Sequence, residues 1–269
     1  MTPMNSILPF AGGRRFGRHI PPPLPAHRML MKGSGAQLPD YKDLRATCGP
    51  IKDQGEEGSC TGHAGSSGME WINRTYLNRS PILSPQYFYA CELLRQGSFP
   101  SDVGSDGKTL CEVAILNGCC ETSLYPYVSG QILRPSSDQI ANARQYEMGA
   151  YHGLAGVPVA QSVLGDPVPW VVKIGLTVYA SFMSDDATRT GIIPPPQSKE
   201  LAVGGHEMLL VGYDLAETPV IRPATAPPSF LAQNSWGADW GDKGFCWLPV
   251  AIIDAVDTDL KIFHSGRPW

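Results

Sequence analysis

Gln54-Gly55-Glu56-Glu57-Gly58-Ser59-Cys60 is a polar loop flexed by two glycines that ends on a thiol. Beyond it Ala64, Met69, Ile72 and Tyr76 recur at roughly helical spacing, which predicts a helix over residues 59–77 with its first turn at Cys60. A cysteine there sits at the positive end of the helix dipole, where thiolate is favoured over thiol. A lone cysteine at a helix start is more often inert than reactive, so the meaning of the loop depends on whether a base lies elsewhere in the chain.

Two later segments supply one. Gly204-Gly205-His206 precedes a strand expected over residues 208–213, a rigid mount for a proton-transfer group. Gln233-Asn234-Ser235-Trp236-Gly237, followed by Trp240-Gly241 and Gly244, offers a carboxamide able to accept an imidazole N–H and indoles able to keep water from that bond. Further helices are expected over 84–94, opened by Ser84-Pro85, and over 109–117, stopped at Gly118. From about residue 148 short β-rich runs take over, at 171–179, 208–213, 230–233 and 245–248, joined by proline-rich connections at 193–197 and 218–228. Helices lead and strands follow, so the class is α+β in two lobes.

Composition narrows the function. In 269 residues, 29 glycines and 25 prolines are too many for a helical bundle, and 42% apolar with 17% charged residues is enough for a core. A net charge of −4 provides no basic stripe, so neither nucleic acid nor an anionic membrane is an expected partner. The most apolar window, 168–183, is broken by Pro169, Lys173, Gly175 and Thr177, so no membrane span is expected. Arg14, Arg15, Arg18 and His19 interrupt the apolar stretch an ordinary signal peptide needs, which leaves a cytoplasmic location or a non-classical export route. The seven cysteines lack the paired spacing of a zinc site, so no metal or other cofactor is expected. Residues 1–37, rich in proline and glycine, form an extension with no apolar face of its own, and the body is 38–269.

Together these motifs resemble the papain-like cysteine peptidases. The match rests on Gln54-Gly55 with Gly58-Ser59-Cys60, on His206 with Val211-Gly212-Tyr213, and on Asn234-Ser235-Trp236-Gly237 with Trp240-Gly241 and Gly244. Leu38-Pro39-Asp40-Tyr41, Leu83-Ser84 and Tyr125-Pro126-Tyr127 support it, and 175–179 with Gly204-Gly205 look more like bacterial members than plant or animal ones. The resemblance implies a papain-like two-lobed fold: a helical left lobe over about 45–145, a β-barrel-like right lobe over about 146–269, and the cleft between them. It also implies Cys60 as nucleophile, His206 as base, Asn234 as its orienting group, and Gln54 with the Cys60 N–H as oxyanion donors. Gly205, Glu207 and Trp236 would contact substrate, with Trp236 also shielding the His206–Asn234 bond. The implied function is that of a monomeric thiol endopeptidase acting on peptides or proteins. The alternative is a catalytically silent peptide-binding module using the same cleft.

Departures from the family pattern sharpen the expectations. Thr61 and His63 replace aromatic residues. Glu57 stands where the family has a disulfide cysteine, and the cysteine that often follows Tyr125-Pro126-Tyr127 is missing, so Cys91 has lost its usual partner. Glu207 stands where alanine is usual, either turned into the pocket for the second residue on the acyl side or turned outward. The 1–37 extension is too short for the family's inhibitory propeptide, yet its extended tendency suits a strip lying across the cleft and holding the chain latent.

Overall fold

The computed structural model describes residues 16–19, 29–30, 37–253 and 258–264. Most of the 1–37 extension, including Pro21 to Pro25, therefore lies outside the described residues.

Three helices build the first half: α1 (Cys60–Tyr76), α2 (Pro85–Gln96) and α3 (Gly107–Leu116). Ser84 caps α2 by accepting the Tyr87 N–H at 3.0 Å, Pro85 takes the first turn, and Gly97 ends the helix at φ 76°. Asp106 caps α3 through the N–H groups of Lys108 and Thr109. Helix α1 is buried without interruption from Cys60 to Asn73, because α2 and α3 cover one side and the sheet covers the other. Small residues make that enclosure feasible: a Cβ on Gly62 would lie 2.5 Å from the Pro85 carbonyl oxygen.

The strands are β1 (Arg18–His19), β2 (Met29–Leu30), β3 (Tyr41–Asp43), β4 (Ser105–Asp106), β5 (Ala150–Leu154), β6 (Val172–Tyr179), β7 (Ala202–Asp214), β8 (Ser229–Gln233), β9 (Phe245–Pro249) and β10 (Asp259–His264). Short helices α4 (Ser137–Ala143), α5 (Val157–Gly165), α6 (Asp185–Thr190) and α7 (Val250–Ile253) fill the connections. The large sheet runs β2-β5-β10-β6-β7-β8-β9, with β3 antiparallel to the far end of β7. Strand β7, 13 residues long, is its spine and faces α1. The expected strand over 208–213 thus begins earlier, and His206 lies inside it; the glycine pair 204–205 hides the strand start from a propensity reading.

The barrel-like right lobe is not what forms. The sheet is open: β2 and β9 are its two ends and do not pair with each other. Closure needs the two edge strands to hydrogen-bond, and here the β9 edge is taken by the chain at 191–193, through Trp247 N–H to the Gly191 carbonyl at 2.7 Å and Ile193 N–H to the Trp247 carbonyl at 3.1 Å. Strand alternation predicts faces and cannot predict which segment will cap an edge.

All seven cysteines are free, in keeping with a fold that does without the family's bridges. Among the described residues no helix is long and apolar enough to cross a membrane.

Candidate active site

Side chains clamp the loop that leads to Cys60. Buried Gln54 donates its backbone N–H to the Ser235 carbonyl at 2.9 Å, accepts the Ser235 hydroxyl on Oε1 at 2.6 Å, and donates from Nε2 to the Glu57 carbonyl at 2.9 Å. Glu57, at the would-be disulfide position, accepts from Gln86 Nε2 at 3.0 Å and from the Gly130 N–H at 3.1 Å. Burial raises its carboxyl pKa and these bonds pull it partly back.

Cys60 opens α1 and is fully buried. Its sulfur is met by the backbone N–H groups of Glu207 on β7 and of Gly17. Burial first, and the Glu207 charge second, push the thiol up to about 12 in this closed arrangement.

His206 Nε2 donates to Asn234 Oδ1 at 2.8 Å, and the same oxygen accepts the Ser235 N–H at 2.8 Å. Only a carboxamide oxygen can accept both, so Nε2 carries the proton and Nδ1 is the basic nitrogen of the ring. Trp236 lies over the imidazole with ring centroids 4.8 Å apart and planes at 31°, backed edge-on by Trp240 at 4.9 Å and Phe182 at 5.6 Å. The indole thereby covers one face of the imidazole, and Trp240 belongs to its packing support.

His63, three residues beyond Cys60, is a buried helix histidine: Nδ1 donates to the Ser59 carbonyl at 2.9 Å and the ring meets Tyr127 edge-on. Burial pulls its pKa down to about 3, so it is neutral.

Residues 16–19 lie in the groove beside Cys60. Strand β1 pairs in parallel with β4, Arg18 opposite Ser105, and the Gly17 carbonyl accepts the Ser105 N–H at 2.6 Å. The Phe16 ring sits edge-on to His206 at 6.3 Å and to Trp236 at 6.1 Å. Gly17 passes so close to the nucleophile loop that a Cβ on it would stand 1.8 Å from the Gly58 carbonyl oxygen. Arg18 enters a pocket in which its Nε lies 3.7 Å from Glu207 Oε2, both side chains being buried, and its carbonyl crosses Gly205, whose added Cβ would be 2.4 Å away. His19 Nε2 reaches the Val103 carbonyl at 2.8 Å. Glu207 is therefore turned inward; burial raises its pKa, and the cations Lys173 and Arg18 offset part of that rise.

Cys60, His206, Asn234, Gln54, Glu207, Gly205 and Trp236 all line one place, the meeting of α1, β7 and the turn after β8. Sequence reasoning missed Phe16, Gly17 and Arg18 as individual site residues. In the sequence Arg18 is one of a scatter of arginines, and what singles it out is the buried carboxylate it faces. Among the described residues no group of three or more His, Cys, Asp or Glu side chains could hold a metal ion.

The family model described as papain family cysteine protease matches residues 38–256. Cysteine proteinase B of Leishmania mexicana is 29% identical over 98% of this chain and 55% of its own length, and the uncharacterized peptidase C1-like protein L477 of Acanthamoeba polyphaga mimivirus is 25% identical over 75% and 64%. The chain thus spans between about half and two thirds of the length of these curated relatives. The crystal structure of xylellain, a cysteine protease from Xylella fastidiosa, superposes with a TM-score of 0.83 at 22% identity, covering 97% of this chain and 100% of that one. With the family model spanning most of the sequence and the same fold beneath it, the chain belongs to the papain family of cysteine proteases.

Proposed function

We propose that the chain is a cysteine endopeptidase with Cys60 as nucleophile. His206 Nδ1 takes the thiol proton, the sulfur attacks the peptide carbonyl, and the oxyanion is met by the Cys60 N–H and the Gln54 carboxamide. The imidazolium returns its proton to the departing amine, leaving a thioester. Water, deprotonated by the same ring, then releases the acid and restores the thiol. Asn234 holds the tautomer this requires, and Trp236 keeps water from its bond to His206. The observation that carries the reading is the His206–Asn234 pair on β7 and the turn after β8, set beside a sulfur at the start of α1 and a doubly clamped Gln54. The fold shared with xylellain and the Gly204-Gly205 pair support a bacterial-type member.

Residues 1–37 are read as a latency segment ahead of a peptidase domain over 38–269. Phe16 to Arg18 occupy the space a substrate backbone would need, and Arg18 fills the Glu207 pocket as a substrate side chain would. Basic side chains are therefore the preferred occupants of that pocket, with Gly205 providing backbone clearance and Trp236 a wall.

The test is intact-mass analysis after exposure to an epoxide thiol inhibitor. Full-length chain, a chain beginning at Leu38, and Cys60→Ala of each are compared. One adduct on the shortened chain, abolished by Cys60→Ala and slow to form on the full-length chain, is the expected result. No adduct at Cys60 in either would sink the peptidase reading and favour a silent peptide-binding module. Equal rates in both would sink latency alone. For the pocket, a peptide library should favour arginine or lysine, and Glu207→Leu should shift the preference to leucine; strict preference for leucine in the unaltered chain overturns that assignment.

A further inference from the structure

Asp102 lies in the turn between α2 and β4, and neither the catalytic set nor the pocket accounts for it. Its Oδ1 accepts the Gly58 N–H at 3.0 Å, with Oδ2 3.2 Å from the same nitrogen. The same Oδ1 accepts the Tyr89 hydroxyl at 2.7 Å, and that hydroxyl accepts the Gly104 N–H at 2.8 Å. Gly58 stands two residues before Cys60, and Gly104 leads into β4, the strand against which the extended chain in the groove pairs. One carboxylate and one phenol thus join the nucleophile loop to the opposite wall of the groove. Tyr89 is fully buried on α2, and burial with the neighbouring Asp102 charge raises its phenol pKa, so it stays a donor. An ionised acceptor holds a backbone N–H more tightly than a neutral one, which suits a joint that must fix a loop in place.

We propose that Asp102 is a positioning residue. It holds Gly58, and through Gly58 the backbone that presents the Cys60 sulfur and N–H, in register with the Gly104–Ser105 wall that aligns a bound peptide. This rests on the thiol-peptidase reading. Its consequence is a division of labour: the Asp102–Gly58 end governs the chemical step, and the Tyr89–Gly104 end governs how peptide is held.

The test uses the full-length chain and, in parallel, the chain begun at Leu38, each with a fluorogenic dipeptide substrate and with iodoacetamide alkylation of Cys60 read by intact mass. Asp102→Asn keeps size and one acceptor but removes the charge. It is expected to lower kcat about tenfold with KM within about twofold, and to slow alkylation in the same ratio, while the thermal midpoint hardly moves. Tyr89→Phe is expected to raise KM by a larger factor than it lowers kcat. Unchanged kcat and alkylation in Asp102→Asn, or a loss of thermal stability alone, overturns the proposal. If Asp102→Asn does not fold, Tyr89→Phe decides, and an unmoved KM there overturns it. Wild-type protein with neither turnover nor alkylation at Cys60, both full-length and begun at Leu38, overturns the peptidase reading, and the role of Asp102 with it, a result distinguished by needing no substitution.

Discussion

Gln54 and His63 flank Cys60 in sequence, and their surroundings treat them differently. The Gln54 carboxamide is bonded at both ends, so its orientation is set before a substrate arrives. In a chain freed of its N-terminal segment, Gln54→Ala should lower kcat by roughly 10²–10³ while KM changes little, checked by steady-state kinetics. His63 is buried and neutral, with its pKa pulled down to about 3 from an unfolded value near 6.5. A depressed folded value means that its stabilising share is present above about 6.5 and is lost as pH falls toward about 3, because the unfolded chain takes up the proton first. Denaturant unfolding at pH 7, 5 and 4 should therefore show wild type losing stability faster on acidification than His63→Gln; parallel slopes would refute this. The place of Gln54 beside Cys60 was legible from a short motif. The neutrality of His63 was not, since it comes from burial beneath segments distant in sequence, the one carrying Tyr127 among them.

At the scale of elements, α2 and α3 lie close to where Ser84-Pro85 and Gly118 put them, because such signals, like the Gly97 and Asp106 caps found in the structure, act within one turn of chain. The start of β7 and the course of β1 do not, because their partners are remote: β6 and β8 for one, β4 for the other. Strand β1 is placed by close approach at Gly17, which gives a handle on latency that leaves the chain whole. Gly17→Leu, whose Cβ would collide with the Gly58 carbonyl, should displace the segment, speed Cys60 alkylation, and move the pH midpoint of that alkylation downward. The direction follows from the cause: burial holds the thiol near 12 here, and renewed hydration at a helix N-terminus favours thiolate at lower pH. Alkylation-rate profiles against pH for the two chains check it, and superimposable profiles would count against the segment as the cause of burial.

The whole molecule has one continuous core in which α1 is sandwiched between helices and sheet, and in which the cysteines are scattered and unbridged. Thermal unfolding should accordingly give the same midpoint with and without a thiol reductant. A fall in midpoint with reductant would reveal a bridge and refute the free-thiol arrangement. The open sheet belongs to this scale too. Its edges are finished by the chain at 191–193 on one side and by β2 on the other, pieces whose sequences carry no strand periodicity long enough to announce them.

By itself the sequence determined the α+β class, the three leading helices and the order Gln54, Cys60, His206, Asn234, because caps, helical periods and short motifs act within a few residues. Tertiary structure alone decided that the sheet stays open, that Glu207 turns inward to Arg18, that His63 is neutral, and that Asp102 and Tyr89 tie the two sides of the groove. Each of these depends on a contact between segments far apart in the chain, where burial and paired charge, rather than local propensity, set the outcome.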